Sequence, residues 1–310
     1  MADVITGNTE LDDLTQTAFD RRLYFALRSQ PVFDAAYDVK PAQQAMPGSA
    51  VTFSFMDNLA TATSALTEES DVDRAALSET QVTATLAEQG NAVGLTALLR
   101  ATSFGDIDSA TANILGYNAV DSLDVLARDP LTAGDNVIFS GDATERADIT
   151  PGDTLAAADV REAVAELRTN SAVPKKANYY LAYIHPHVSY DFRTATAAGN
   201  WRESHLYASP ESIFAGEIGA IEGAIFIETP RARIFADAGS SPTTTDVYAT
   251  IVCGQQAGGK AEAIALHMVQ SPVVDRLRRL PSWGWYGLFD HIRFREDALY
   301  RIESSSALGA

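Results

Sequence analysis

His185 and His187 are the residues whose type and spacing most invite chemistry. They lie in YIHPHVSYDFR, residues 183–193, behind an apolar run and ahead of a Tyr-Asp pair. On a strand, alternate residues share a face, so an H-x-H pair can offer two imidazoles to one metal ion. Asp191 or a distant glutamate would complete the site of a metal-dependent hydrolase. Pro186 works against that geometry. A proline is best placed in the first turn of a helix, where its missing N–H costs nothing. The stretch therefore also reads as a corner, with the strand YYLAYI ending at His185 and a helix opening at Pro186. In that reading the histidines are architecture.

Other candidates are weaker. Glu217, Glu222 and Glu228 in AGEIGAIEGAIFIETP could form an acid/base set, but Gly216, Gly219 and Gly223 among them predict tight turns leading into a strand. Capping, or pairing with one of the many arginines, is the structural alternative. Cys253 is the only cysteine. It has no intramolecular disulfide partner, and within VYATIVCG it reads as a small buried hydrophobe. No phosphate-binding loop, dinucleotide-binding fingerprint or nucleophile elbow occurs. No catalytic, cofactor-binding or metal-ligating set is therefore predicted, and no cofactor is expected.

The composition argues against a nucleic-acid reader. A chain of 310 residues, 46% hydrophobic and 21% charged, is that of a globular protein with a sizeable core. The net charge of −18 opposes a phosphate-gripping surface and adhesion to anionic lipid. No run approaches the roughly 20 apolar residues of a membrane span. The start, MADVITGNTELDD, carries no export pattern, so synthesis in the cytoplasm is expected. Lys40, Lys175, Lys176 and Lys260 are the only lysines, against nineteen arginines. Arginine is the better residue for bidentate and interfacial contacts, although a GC-rich genome would give the same bias.

The elements follow from periodicity. Residues 1–49 carry Phe19, Leu23, Phe25 and Leu27, which suggest a short helix or an extended arm, and Pro31, Pro41 and Pro47 limit regular structure. Such an arm has no core of its own and needs a surface to lie on. AVTFSF (50–55) and SETQVTATLAEQG (78–90) alternate as strands, with Gly90–Asn91 predicted to turn into AVGLTAL. Between them ATATSALTEESDVDRAALSE is polar and acidic, predicting a long projecting hairpin. A calcium loop at TEESDVD lacks the required glycine and spaced acids.

Residues 106–130 form the clearest helix. Ile107, Ala110, Ile114, Tyr117, Val120, Leu123 and Leu126 make its stripe, Asp106 or Asp108 its cap, and Pro130 its stop. A second helix is capped by Thr154, shows Val160, Val164 and Leu167 on one face, and ends at Asn170–Ser171. Strands are predicted at 178–184, 223–229, 246–254 and 262–269. The C-terminal GWYGLFDHIRFREDALYRIESS reads as two more, paired through the REDA turn. No internal repeat and no Gly/Ser linker divides the chain.

The order of these parts resembles the major capsid protein of tailed bacteriophages, the Hong Kong 97-like fold, and within it the group typified by the phage N-four capsid protein. The residues carrying the likeness are LAYIHPHVSYDFR, GNW with Trp201, GEIGAIEGAIFIETPR, SALTEESDV with Leu77–Ser78 ahead of VTATLAEQG, and DVYATIVCGQQAGG. The hairpin has EES where relatives commonly have a Glu-Gly turn.

The resemblance implies an α+β fold with an N-terminal arm at 1–49 and an extended hairpin (E-loop) at 50–96. A P-domain with the long spine helix would span 97–150, an A-domain 151–270, and C-terminal strands returning to the P-domain 271–310. It implies a non-enzymatic shell protein of the virion that self-assembles into hexamers and pentamers around double-stranded DNA, without sequence-specific DNA binding and without a membrane. Separate scaffolding, portal and decoration proteins are the further partners it suggests, since the arm is too short for a fused scaffold. Glu68, Glu69, Asp71, Asp73 and Arg74 at the E-loop tip become candidate inter-subunit contacts. Residues 41–174 contain no lysine, so the lysine–asparagine crosslink of some relatives is not expected from this hairpin. An encapsulin-like shell and the hydrolase built on His185 and His187 are the alternatives.

Overall fold

A computed structural model describes residues 31–41, 50–63, 65, 68, 71, 74–103, 106–194, 217–240, 245–271, 277 and 279–309. The arm residues Phe19, Leu23, Phe25 and Leu27, together with Trp201, His205, Glu69 and Asp73, lie outside the described residues.

One long helix organises the fold. Helix α2 (Ile107–Thr132) starts at Asp106, whose carboxylate accepts the Ser109 N–H at 3.3 Å. Pro130 does not stop it. The helix runs two residues further, and the Ala133 N–H closes on the Pro130 carbonyl at 3.3 Å. A proline forfeits one backbone bond, and in a final turn that single loss is tolerable. The buried stripe also differs from expectation: it is Thr111, Leu115, Ala119, Asp124, Ala127 and Leu131. Ile114, expected inside, is 53% exposed. Small residues at 111, 119 and 127 let the helix approach the sheet closely, which large side chains on the expected stripe would prevent.

The sheet beneath α2 has four strands in the order β1 (Tyr37–Pro41), β11 (Gly258–Ser271), β12 (Ser282–Arg293) and β4 (Ala87–Gly94). Trp285 of β12 packs on Leu115 and Ala119 of α2, and its indole N–H donates to Asn118 Oδ1 at 2.9 Å. Asn118 Oδ1 also accepts from the Asn91 amide of β4 at 3.1 Å. Gly90–Asn91 is therefore no turn; β4 passes straight through it, paired to β12 from Ala87↔Phe289 to Gly94↔Ser282.

The second sheet holds the main core. Its path is β5 (Val137–Phe139), β13 (Leu299–Ser304), β10 (Val247–Cys253), β6 (Tyr180–Ile184), β8 (Ala224–Glu228) and β7 (Glu217–Ile221), with β9 (Ile234–Phe235) pairing on β10. All residues of β6 and β10 are buried, as continuous apolar strands covered on both faces should be. Helix α3 (Ala157–Thr169) buries Val160, Val164 and Leu167 as its periodicity predicts. Its N-cap is Ala156, not Thr154, which instead bridges to Ser305. The Asp159 carboxylate reaches back to the Ala156 N–H at 3.0 Å, which supplies the capping that alanine lacks.

The C-terminal strands do not pair with each other. Strand β12 belongs to the four-stranded sheet and β13 to the larger one, with a 3-10 turn at Glu296–Ala298 between them. Strands β7 and β8 close through Glu222–Gly223, both at positive φ (50° and 89°). Two such residues in succession are what a tight hairpin turn demands.

Apart from both sheets stands the hairpin of β2 (Ala50–Met56) and β3 (Glu79–Thr85), antiparallel from Ala50↔Thr85 to Met56↔Glu79. Its buried groups lie at its base, where Phe53 and Ala84 meet Ala261, with Ile292 and Phe294 packed alongside.

Candidate functional site

Beyond the cluster at Phe53 and Ala84, the hairpin is bare. Met56, Leu59 and Leu77 are 67%, 55% and 70% exposed, far more than isolated apolar residues of a settled monomer require. Of the predicted tip residues, Glu68, Asp71 and Arg74 are exposed. A second apolar end is formed where α1 (Ala97–Thr102) meets residues 279–281: the Leu95 N–H donates to the Pro281 carbonyl and the Ala97 N–H to that of Arg279. Leu98, Leu277 and Leu280 are exposed there. These groups can do no covalent chemistry. They can be covered.

The histidine corner is built as the Pro186 reading requires. Helix α4 (Pro186–Thr194) begins directly after β6. His185 is buried, and its Nδ1 accepts the His187 N–H at 3.2 Å. The two rings meet edge to face at 4.7 Å between centroids. His187 Nδ1 is hydrogen-bonded to the Tyr248 hydroxyl at 3.0 Å. Burial, then the neighbouring His187, lowers the His185 pKa to about 4. Asp191 holds the C-terminal segment: its Oδ2 accepts from Ser306 Oγ at 2.7 Å and from the Ala307 N–H at 2.8 Å. Each group proposed as a metal ligand thus has a structural partner. Among the described residues no three His, Cys, Asp or Glu side chains converge as ligands.

Of the three glutamates, Glu222 and Glu228 are held by structural partners. Glu222 pairs with Arg161 at 2.8 Å, and that hydrogen bond lowers its pKa. Glu228 accepts from Ser189 Oγ at 2.9 Å. The side chain of Glu217 lies outside the described residues. Cys253 is fully buried in β10, and burial pushes its thiol up to about 12, an inert thiol by that measure.

Two buried ionic networks went unread in the sequence. Asp124 of α2, fully buried, accepts the N–H groups of Val32 and Phe33 at 2.9 and 2.8 Å. Arg231 lies 3.4 Å from the same carboxylate, reaches Asp121, and donates to the Tyr117 hydroxyl at 2.7 Å. The chain ahead of β1 and the segment after β8 are thereby both tied to α2. The second network centres on Glu303 of β13, fully buried, which takes both ends of the Arg146 fork at 2.6 and 2.7 Å and an ion pair from Arg301 at 2.7 Å. Arg301 in turn donates to the carbonyls of Thr132 and Gly134, closing the C-terminus of α2.

The geometry thus combines internal ionic ties with apolar projections left bare. Solved structures share that shape over nearly the full length. The capsid of Ralstonia phage GP4 superposes with a TM-score of 0.75 at 14% identity, covering 98% of each chain. The cyanophage Pam1 capsid gives 0.73 at 14% identity over 99% of this chain and 100% of the other. The acid-stable capsid of Helicobacter pylori bacteriophage KHP30 gives 0.68 at 12% identity over 98% of each. The fold is therefore the Hong Kong 97-like capsid fold. No curated protein matches this chain in sequence. The sequence pattern described as phage capsid protein does match, over residues 8–285. Fold and sequence agree: the chain belongs to the phage capsid protein family.

Proposed function

We propose that the chain is the major subunit of an icosahedral phage head, assembling into hexamers and pentamers around double-stranded DNA. The family match over residues 8–285 carries this reading. Bare apolar groups on the hairpin and at the α1 end support it, because such groups gain burial only on a neighbour. The shell is held non-covalently at the hairpin, which offers no lysine. Scaffolding, portal and decoration proteins are then separate chains. The acidic surface keeps the wall from gripping the genome it encloses.

The arm (1–49), E-loop (50–96), P-domain (97–150), A-domain (151–270) and returning C-terminal strands (271–310) remain our working division. The separately paired β2–β3 hairpin and the 26-residue α2 support its first parts. The pairing of β13 with β10 argues for assigning the last strand with the A-domain body. Glu68, Glu69, Asp71, Asp73 and Arg74 are proposed lattice contacts. Negative-stain microscopy of the purified chain tests the assembly reading: closed shells with five- and six-fold capsomers support it, and a persistent monomer opposes it.

A further inference from the structure

We propose that the corner at His185 and His187 is a protonation-operated latch on the C-terminal tail, Ser306–Gly309, holding it when neutral and freeing it when charged. The device lies within one chain and does not depend on assembly.

The tail leaves the end of β13 and lies against the body. Ser306 is buried, and its hydroxyl donates to Asp191 Oδ2 at 2.7 Å. The Ala307 N–H donates to the same oxygen at 2.8 Å. Gly309 abuts the Tyr248 hydroxyl so closely that an added Cβ would collide with it. Both anchors lead back to α4. Asp191 follows His187 at i+4, on the same helix face, and His187 Nδ1 is hydrogen-bonded to the Tyr248 hydroxyl at 3.0 Å.

The first turn of α4 depends on the protonation state of His185. Its Nδ1 accepts the His187 N–H at 3.2 Å, so the neutral ring carries its proton on Nε2. A second proton has only Nδ1 to occupy, and there it meets the His187 N–H, donor against donor. The ring has little room to turn away. It is buried, with the His187 ring edge-on at 4.7 Å and the Tyr248 ring at 4.9 Å between centroids. Charging His185 therefore displaces the His187 backbone, and with it the Tyr248 contact and Asp191. A charged His187 adds like-charge repulsion at the same place.

The surrounding charges set where the latch works. Asp191 of α4 and Asp246, just before β10, both act on Tyr248 and favour a charged ring beside it. Glu228 of β8 accepts from Ser189 Oγ at 2.9 Å and lies 3.9 Å from Arg193, so its charge is already met. Burial and the His187 ring outweigh the two aspartates and hold His185 at about 4. A released corner regains the ordinary value of 6.5, so the latched state loses ground as pH falls from 6.5 toward 4.

Hydrogen exchange of the full-length subunit tests this, read by mass spectrometry on peptides spanning the C-terminus and corrected for the intrinsic pH dependence of exchange. Protection of the Ala307 and Leu308 amides should fall at least about tenfold between pH 7 and pH 4, against a ceiling of about a hundredfold set by the His185 shift. Peptides from β6 and β10 should stay protected. His185→Gln keeps an acceptor for the His187 N–H but cannot take a proton, so its tail should stay protected at pH 4. Asp191→Asn should retain the pH step, because its amide oxygen still accepts and His185 still titrates. A step that survives in His185→Gln overturns the proposal and, if it vanishes in Asp191→Asn, belongs to the tail's own carboxylate. Should His185→Gln not fold, NMR of the wild-type ring decides: His185 titration and tail opening should share one midpoint, and midpoints more than about one pH unit apart overturn the proposal. A smaller fall in wild-type protection overturns it, and so does a loss that spreads to β10 at the same pH, which is global unfolding.

Discussion

Replacing Asp124 with alanine should destabilise the subunit by about 3–5 kcal/mol, and the size follows from its partners. The carboxylate is fully buried and accepts two backbone N–H groups, from Val32 and Phe33, at 2.9 and 2.8 Å. Hydrogen bonds to a charged group contribute about 1.5–3 kcal/mol each. The same substitution removes one of the two carboxylates beside Arg231, at 3.4 Å, while Asp121 stays in place, so the roughly 3–5 kcal/mol for breaking a buried ion pair is an upper bound on that contribution. These contributions overlap, so the lower value is expected if water enters the vacated space. Asp124→Asn keeps an acceptor and loses only the charge, so it should cost about 1–2 kcal/mol. The assay is urea unfolding of purified subunits followed by far-UV circular dichroism. Phe33, fully buried against Tyr183 at 4.9 Å between ring centroids, should be released with the chain ahead of β1, so limited proteolysis should cut near residue 31 in the alanine variant first. A loss below about 1 kcal/mol for Asp124→Ala, under the low end for even one such hydrogen bond, would show that the buried carboxylate does not hold this segment. Equal losses for the two variants would show that the charge accounts for the whole effect and the acceptor oxygen alone for none of it, whereas no loss for Asp124→Asn would show that the charge plays no part.

Burial holds His185 at about 4, below its ordinary value, so the unfolded chain takes the proton first. The contribution of the neutral ring is fully present above about pH 6.5 and is lost as pH falls toward 4. His185→Gln should flatten the pH dependence of the urea midpoint in that window. Asp34 is held at about 2, chiefly by His291 at 3.5 Å and then by the Lys260 hydrogen bond at 3.0 Å, so its contribution is present above the usual carboxylate range and is lost as pH falls through about 2; Asp34→Asn should remove that acid-limb component. Gly223→Ala places a Cβ at a φ of 89° beside Arg168 and should cost about 1 kcal/mol, whereas Glu222→Gly should be near neutral; urea midpoints check both. Mature particles boiled in detergent should run as a single chain of 33.2 kDa; a ladder of covalent multimers would contradict the lysine argument.

The sequence was most legible where one element's own pattern decides its state. Alternation found β2 and β3, aliphatic density found β6 and β10, and Pro186 marked the corner that makes His185 and His187 structural. It failed where a partner decides. Nothing local in LFDHIRFREDALY tells β12 and β13 to join different sheets. Gly90–Asn91 has the composition of a turn, yet Asn118 and the neighbouring β12 hold it extended. The stripe on α2 was misplaced because the helix packs through threonine and alanine, which carry little hydrophobic signal. For the same reason Asp124, a charge on a buried face, was invisible until its partners Val32, Phe33 and Arg231 were placed. Lattice contacts belong to a second molecule, so one chain's periodicity identifies only the bare surfaces left for them.

Whether this chain builds a shell by laying its hairpin on a neighbour can be seen by electron cryo-microscopy of the full-length protein, expressed in and purified from a bacterial host. Closed icosahedral shells are predicted, in which this chain occupies every hexamer and pentamer, with the β2–β3 hairpin of each subunit lying on a neighbour and Leu77 buried. Particles in which the hairpin stands free in solvent, or a chain that stays monomeric at concentrations where shells should form, would contradict that prediction.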